Sequence, residues 1–130
     1  MDLITEILSD IDKDIKNIKT VEGNKYLRNI LEAALVPELK LELPEGDPPY
    51  TPRAAPSAQF SGMFWQEAKK IAVFRRKDLH PLRRETLFVQ ALESVSAKEA
   101  EILLAVKDQT LYKLYPNITR GALNEGGYKI

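Results

Sequence analysis

Cysteine is absent from the sequence, which excludes disulfides, thiolate catalysis and cysteine-based zinc sites and suits a reducing compartment. Histidine is nearly as scarce: His80 stands alone, directly before Pro81, with no nucleophile motif beside it. That context predicts a structural or surface histidine rather than an acid–base catalyst. No Asp/Asn/Gly arrangement has calcium-loop spacing, so neither a metal nor any other cofactor is expected. The glycines are scattered, and Gly126-Gly127 has no following helix, which disfavours phosphate-cradling and nucleotide-dependent catalysis. None of the serines sits in an elbow-like context. Together these absences predict a protein that is not an enzyme. Long apolar runs are missing too: none approaches the roughly 18 to 20 residues needed to cross a bilayer. The opening Met1-Asp2-Leu3-Ile4-Thr5-Glu6 has no basic region followed by an apolar one, so no export signal and no membrane partner are expected.

What is present suits a helical globule. At 130 residues, roughly two-thirds of the unfolded surface can be buried, enough for one core. The formal net charge is zero, but residues 1–50 hold 6 Lys/Arg against 11 Asp/Glu, and residues 51–130 hold 13 against 8. The chain is thus polarised from −5 to +5, which favours local charge pairing over a global pull toward nucleic acid.

Apolar residues at Leu3, Ile4, Ile7, Leu8, Ile11, Ile15 and Ile18 follow helical spacing and predict an amphipathic helix over 3–18. Its other face carries Asp10, Asp12 and Asp14, expected in solvent between lysines. Asn24 is placed to cap a second helix bearing Tyr26, Leu27, Ile30, Leu31, Ala34 and Leu35, which Pro37 ends. Leu39, Leu41 and Leu43 alternate with Lys40 and Glu42, a period-two pattern that predicts a short extended stretch or a single edge strand. A third helix is expected from Ser61 to about Arg76, burying Phe64, Trp65, Ala68, Ile71, Ala72 and Phe74. A fourth starts at Pro81, with Leu82, Leu87, Phe88, Ala91, Leu92 and Val95 as its stripe. Ser96-Ala97-Lys98-Glu99 reads as a capping box that opens a fifth helix burying Ala100, Leu103, Leu104 and Val106. Thr119 is placed to cap a short last helix before Gly126-Gly127. The expected fold is mainly α: one compact domain over 1–130 of about five to six helices, with little or no β. It divides into an acidic helical part (1–43), a proline-rich connector (44–56) and a basic helical part (57–130).

Two surfaces attract attention. Lys69, Lys70, Arg75, Arg76, Lys77, Arg83 and Arg84 face only Asp78, a net of +6 over residues 69–84. Such a cluster can neutralise phosphates or meet an acidic protein surface, and the plainer reading pairs it with the acidic N-terminal helix or a partner, or leaves it solvated. No recognised nucleic-acid docking motif frames it. The second surface is the connector, where Pro48, Pro49, Tyr50 and Pro52 are candidate contacts. Fixed φ and missing backbone donors rule out a helix interior there. The stretch is expected to strap across the domain, pinned by Tyr50, or to offer an extended strand to an aromatic groove.

Three blocks occur in order: Leu43-Pro44-Glu45-Gly46 with Pro48-Pro49-Tyr50, Pro52 and Pro56; then Leu87-Phe88-Val89-Gln90-Ala91-Leu92-Glu93-Ser94; then Glu99-Ala100-Glu101-Ile102-Leu103-Leu104-Ala105-Val106-Lys107-Asp108. Over about residues 26–125 this order resembles a family of small, uncharacterised proteins encoded by tailed bacteriophages. The chain departs from the family pattern at Val95-Ser96-Ala97, where Leu-His-Pro is common. The resemblance brings no catalytic residues, and it implies a phage-encoded protein made in the cytoplasm of an infected bacterial host. The expected function is a non-enzymatic accessory protein that binds a phage or host protein. A virion structural or assembly component and a nucleic-acid-binding protein using residues 69–84 are the alternatives, and self-association is left open.

Overall fold

The computed structural model describes residues 3–50 and 61–130. Among them lie six α-helices and no β-strand: α1 (Ile4–Lys13), α2 (Lys25–Leu35), α3 (Ser61–Lys69), α4 (Pro81–Ser94), α5 (Ala97–Asp108) and α6 (Arg120–Glu125). Short 3-10 segments over Ile15–Val21, Pro37–Leu39, Ile71–Arg75 and Leu111–Lys113 join them. Helix α5 is the hub, packing on α1, α2 and α4, while α3 closes against α2 and α4. Its residues Ala100, Ile102, Leu103, Leu104, Ala105 and Val106 are all buried, the signature of a helix surrounded by others. The capping box that starts it is complete and buried: Ser96 Oγ accepts from Glu99 N–H (3.2 Å) and Glu99 Oε1 accepts from Ser96 N–H (3.1 Å).

Three expectations about where elements begin and end need correction. The first helix stops at Lys13, because Asp14 leaves the helical region (φ −151°) and its side chain accepts from Lys16 N–H at 3.0 Å. Local aspartate capping there outcompetes helix continuation and starts the 3-10 segment over Ile15–Val21, whose buried residue is Ile18. The leucine alternation forms no strand. Pro37–Leu39 turns, Leu41 alone of the three leucines is fully buried, and Glu42 N–H donates to Phe74 C=O at 2.8 Å without a partner strand. The third helix ends at Lys69, and in the 3-10 segment that follows, Ile71 and Phe74 turn inward while Ala72 is exposed.

Other boundaries fall where the residues dictate. Asn24 Oδ1 accepts from Tyr26 N–H and Leu27 N–H, each at 3.0 Å, and α2 ends two residues before Pro37. Gln109 ends α5 with φ 56°, a left-handed geometry normally given to glycine or asparagine. Its side-chain amide offsets that strain by donating to the carbonyls of Ala33 (3.0 Å) and Val36 (2.9 Å), closing the end of α2. Phe64 and Trp65 meet edge to face at 5.6 Å, and both are buried. Thr119 Oγ1 accepts from Ala122 N–H (3.1 Å) to start α6.

Candidate functional site

The first half of the proline-rich connector lies across α5. Leu43 and Tyr50 pack against the core, while Pro44, Glu45, Gly46 and Asp47 between them are exposed. Pro52 and Pro56 fall outside the described residues. The tie is Lys107, on the last turn of α5 and 1% exposed. Its ammonium donates to Pro44 C=O (2.8 Å), Gly46 C=O (2.9 Å) and Asp108 Oδ1 (2.5 Å), which uses all three of its donors. An unpaired ammonium at this depth would cost several kcal/mol, so the cation and the strap hold each other in place. Gly46, at φ 90°, makes the turn that aims its carbonyl at Lys107 while its N–H reaches Asp108 Oδ2 (3.4 Å). Burial first, then the charges of Asp47 and Glu101, push the Tyr50 hydroxyl above its usual range.

Between strap and helices is a cavity of ≈ 200 Å³, bounded by Leu43, Pro44 and Pro48 on one side and by Glu85 and Phe88 of α4 on the other. Its floor is apolar, and Glu45, Asp47 and Glu85 stand around it. Glu45 pairs with Lys40 (2.9 Å), whereas Asp47 and Glu85 enter no ion pair among the described residues.

The basic cluster is divided rather than gathered. Arg84 is structural: its guanidinium donates to the carbonyls of Glu42 (2.9 Å), Arg76 (2.9 Å) and Leu79 (2.5 Å), tying the strap root to the turn before α4. Arg75 donates to Leu39 C=O (3.1 Å). Arg76 pairs with Asp78 (2.6 Å), and this hydrogen bond holds the exposed Asp78 carboxyl below its usual range. Lys70 lies 3.7 Å from Glu67, Lys77 lies 4.0 Å from Glu42, and Lys69 sits 5.4 Å over the Tyr26 ring. Arg83 is exposed and enters no ion pair or hydrogen bond among the described residues. The acidic residues of α1 are not the partners; Asp12 instead accepts from Asn117 N–H (2.8 Å). His80 caps α4, its Nδ1 accepting from Leu82 N–H at 3.1 Å.

Leu82, expected in the core, is 68% exposed. At 3.6 residues per turn it lies roughly 120° around α4 from Phe88, which is buried. Placing each residue on the helical wheel, rather than counting it into a stripe, would have separated them. Lys107 had a signal as well: a cation directly at the end of the apolar run Ile102–Val106 of α5. Asp47, Glu85 and Phe88 had none, because their neighbourhood exists only once the strap crosses the helices.

Among the described residues no group of three or more Asp, Glu or His side chains is placed to hold a metal ion, and no helix is long and apolar enough to cross a membrane. No curated protein and no solved structure matches the chain. A family match is found over residues 7–113, described as Family of unknown function (DUF6433). Because this span runs from within α1 to the turn after α5, taking in the strap, its lysine clamp and the whole of α4, the chain belongs to that family of unknown function.

Proposed function

We propose that the chain is a non-enzymatic accessory protein of a tailed bacteriophage that binds a phage or host protein in the cytoplasm of the infected cell. The phage setting rests on the resemblance of the three sequence blocks. The binding role rests on one observation: Leu82, on the helix whose Glu85 and Phe88 line the cavity under the strap, is 68% exposed. A large aliphatic side chain left in solvent gives a partner a knob to cover. Of the buried charged groups, Lys107 is engaged in the strap clamp and Glu99 gives Oε1 to the capping box, while Glu99 Oε2 is buried with no hydrogen-bond partner among the described residues.

A protein partner suits the basic corner better than nucleic acid does. Counterion release requires several cations free to meet phosphates. Here Arg75 and Arg84 are turned onto backbone carbonyls, and Lys70, Arg76 and Lys77 have carboxylate partners. The test is capture from infected cells with the wild-type chain and with Leu82→Asp. A partner retained by the wild type and lost by the variant is expected; one held equally by both removes this surface from consideration. Mass spectrometry of purified particles separates an accessory role from a virion component, and turnover of a nucleotide or nucleic-acid substrate abolished by a single substitution would overturn the non-enzymatic reading.

A further inference from the structure

We infer that the groove under the strap receives a cationic side chain: it takes one arginine or lysine of the protein partner, the stem against the apolar floor and the charged head beside Asp47 and Glu85. The inference rests on the protein-binding reading above and names the chemistry that the partner presents at a second place on the surface.

The lining offers acceptors and almost no donors. Pro44, Pro48 and Pro49 bring three residues without an N–H to the strap wall. Their neighbours are spent: Leu43 N–H donates to Leu41 C=O (3.0 Å) and Gly46 N–H to Asp108 Oδ2 (3.4 Å). All three donors of Lys107 are used on Pro44, Gly46 and Asp108. The opposite wall adds no backbone donor, because Glu85 and Phe88 lie within α4, past its first turn. An anion or a nucleotide would find little to hold it there, whereas a ligand that brings its own donors meets carboxylates.

Charge selects the same ligand. Glu45 is paired with Lys40 and Lys107 with Asp108, so these charges cancel, while Asp47 and Glu85 enter no ion pair among the described residues. Glu85 is half-buried, so its carboxylate has given up part of its hydration without gaining a cation. Arg84, beside it in the chain, is turned onto the carbonyls of Glu42, Arg76 and Leu79.

Size and layout narrow the occupant to a side chain. A space of ≈ 200 Å³ lies below the roughly 300–1,000 Å³ of cofactor and drug-sized sites. Glu85 and Phe88 are three residues apart on α4 and therefore neighbours on its surface, which sets a carboxylate next to the apolar floor. Arginine and lysine have the matching division, a methylene stem that packs on apolar surface and a head that only donates.

The experiment titrates the full-length chain with arginine, lysine and citrulline, each blocked as its Nα-acetyl amide, and follows backbone amide resonances by NMR. Saturable shifts at Gly46, Asp47, Glu85 and Phe88 are expected with arginine or lysine, with a dissociation constant on the order of millimolar, and none with citrulline, which lacks the charge. Raising the salt weakens the binding. Asp47→Asn combined with Glu85→Gln raises the dissociation constant on the order of tenfold or more. Neither residue has an ionic partner to lose, so this variant keeps the wild-type circular dichroism and melting behaviour. No saturable shift, shifts equal with citrulline, or binding indifferent to both salt and the double substitution overturns the inference. A free alkylamine such as n-butylamine that binds more tightly than either blocked amino acid assigns the groove to a small amine and overturns the side-chain occupant. The two readings fail separately. A partner from infected cells that is lost with Leu82→Asp but held by Asp47→Asn/Glu85→Gln removes only the groove, whereas blocked arginine seated in the groove beside a Leu82→Asp variant that keeps its partner removes only the Leu82 surface.

Discussion

Lys107 and the basic corner at the start of α4 use the same chemistry in opposite ways. The clamp has one cation, 1% exposed, with every donor satisfied; the corner has several, spread over carbonyls, carboxylates and water. A cluster of seven Lys/Arg catches the eye in the sequence, yet one buried lysine at the end of α5 does more to hold the chain together. Exposed pairs gain little because water screens them and side-chain entropy opposes them, whereas a buried ammonium cannot be left without partners.

The largest expected effect follows from that contrast. Lys107→Met leaves Asp108 and two strap carbonyls without their donor, and is expected to lower stability by roughly 3 kcal/mol in urea unfolding, with the strap more open to proteolysis. A loss below about 1 kcal/mol would mean that the apolar replacement fills the site as well as the ion pair does. Within the corner, Arg84→Ala should cost about 1–2 kcal/mol, since three carbonyls lose a common donor. If Arg84→Ala matched Lys107→Met, the distinction between the two regions would collapse.

Smaller still is the alkaline behaviour of the strap. Tyr50 is held protonated by burial and by Asp47 and Glu101, and burial likewise raises Tyr115 and Tyr128. A phenol whose pKa is raised in the folded chain loses its proton first in the unfolded one. Its stabilising effect is therefore complete below pH ~10 and declines as pH rises toward the folded value. Unfolding midpoints measured across that window should fall, and Tyr50→Phe should make the fall shallower. Smallest of all is Arg83→Ala, expected to change stability by no more than about 0.5 kcal/mol, so that any effect it has on association is read free of folding.

How far the sequence reaches can be followed residue by residue. Asn24, Pro37, Ser96 with Glu99, and Thr119 each announce a helix boundary, and each does so in the structure, because capping is a contact between neighbours three residues apart. Asp14 ends the helix although the hydrophobic spacing runs through it, because its side chain prefers its own backbone. The leucines around Leu41 alternate as a strand would, but a strand needs a partner to pair with, and the chain supplies only the carbonyl of Phe74.

The sequence alone determined the helical class, most of the caps and the polarity of charge along the chain, since all of these arise from spacing and composition over a few residues. Only the tertiary structure decided that Lys107 is the clamp, that Gln109 closes α2 from the end of α5, that most of the corner cations are already engaged, and that Leu82 stands outside the core. The contacts of Lys107 with the strap and of Gln109 with α2 join residues 61 to 76 positions apart, and that of Arg84 with Glu42 spans 42. No local pattern encodes such distances; they are set when the apolar faces of the helices settle on α5 and fix which polar groups can reach one another.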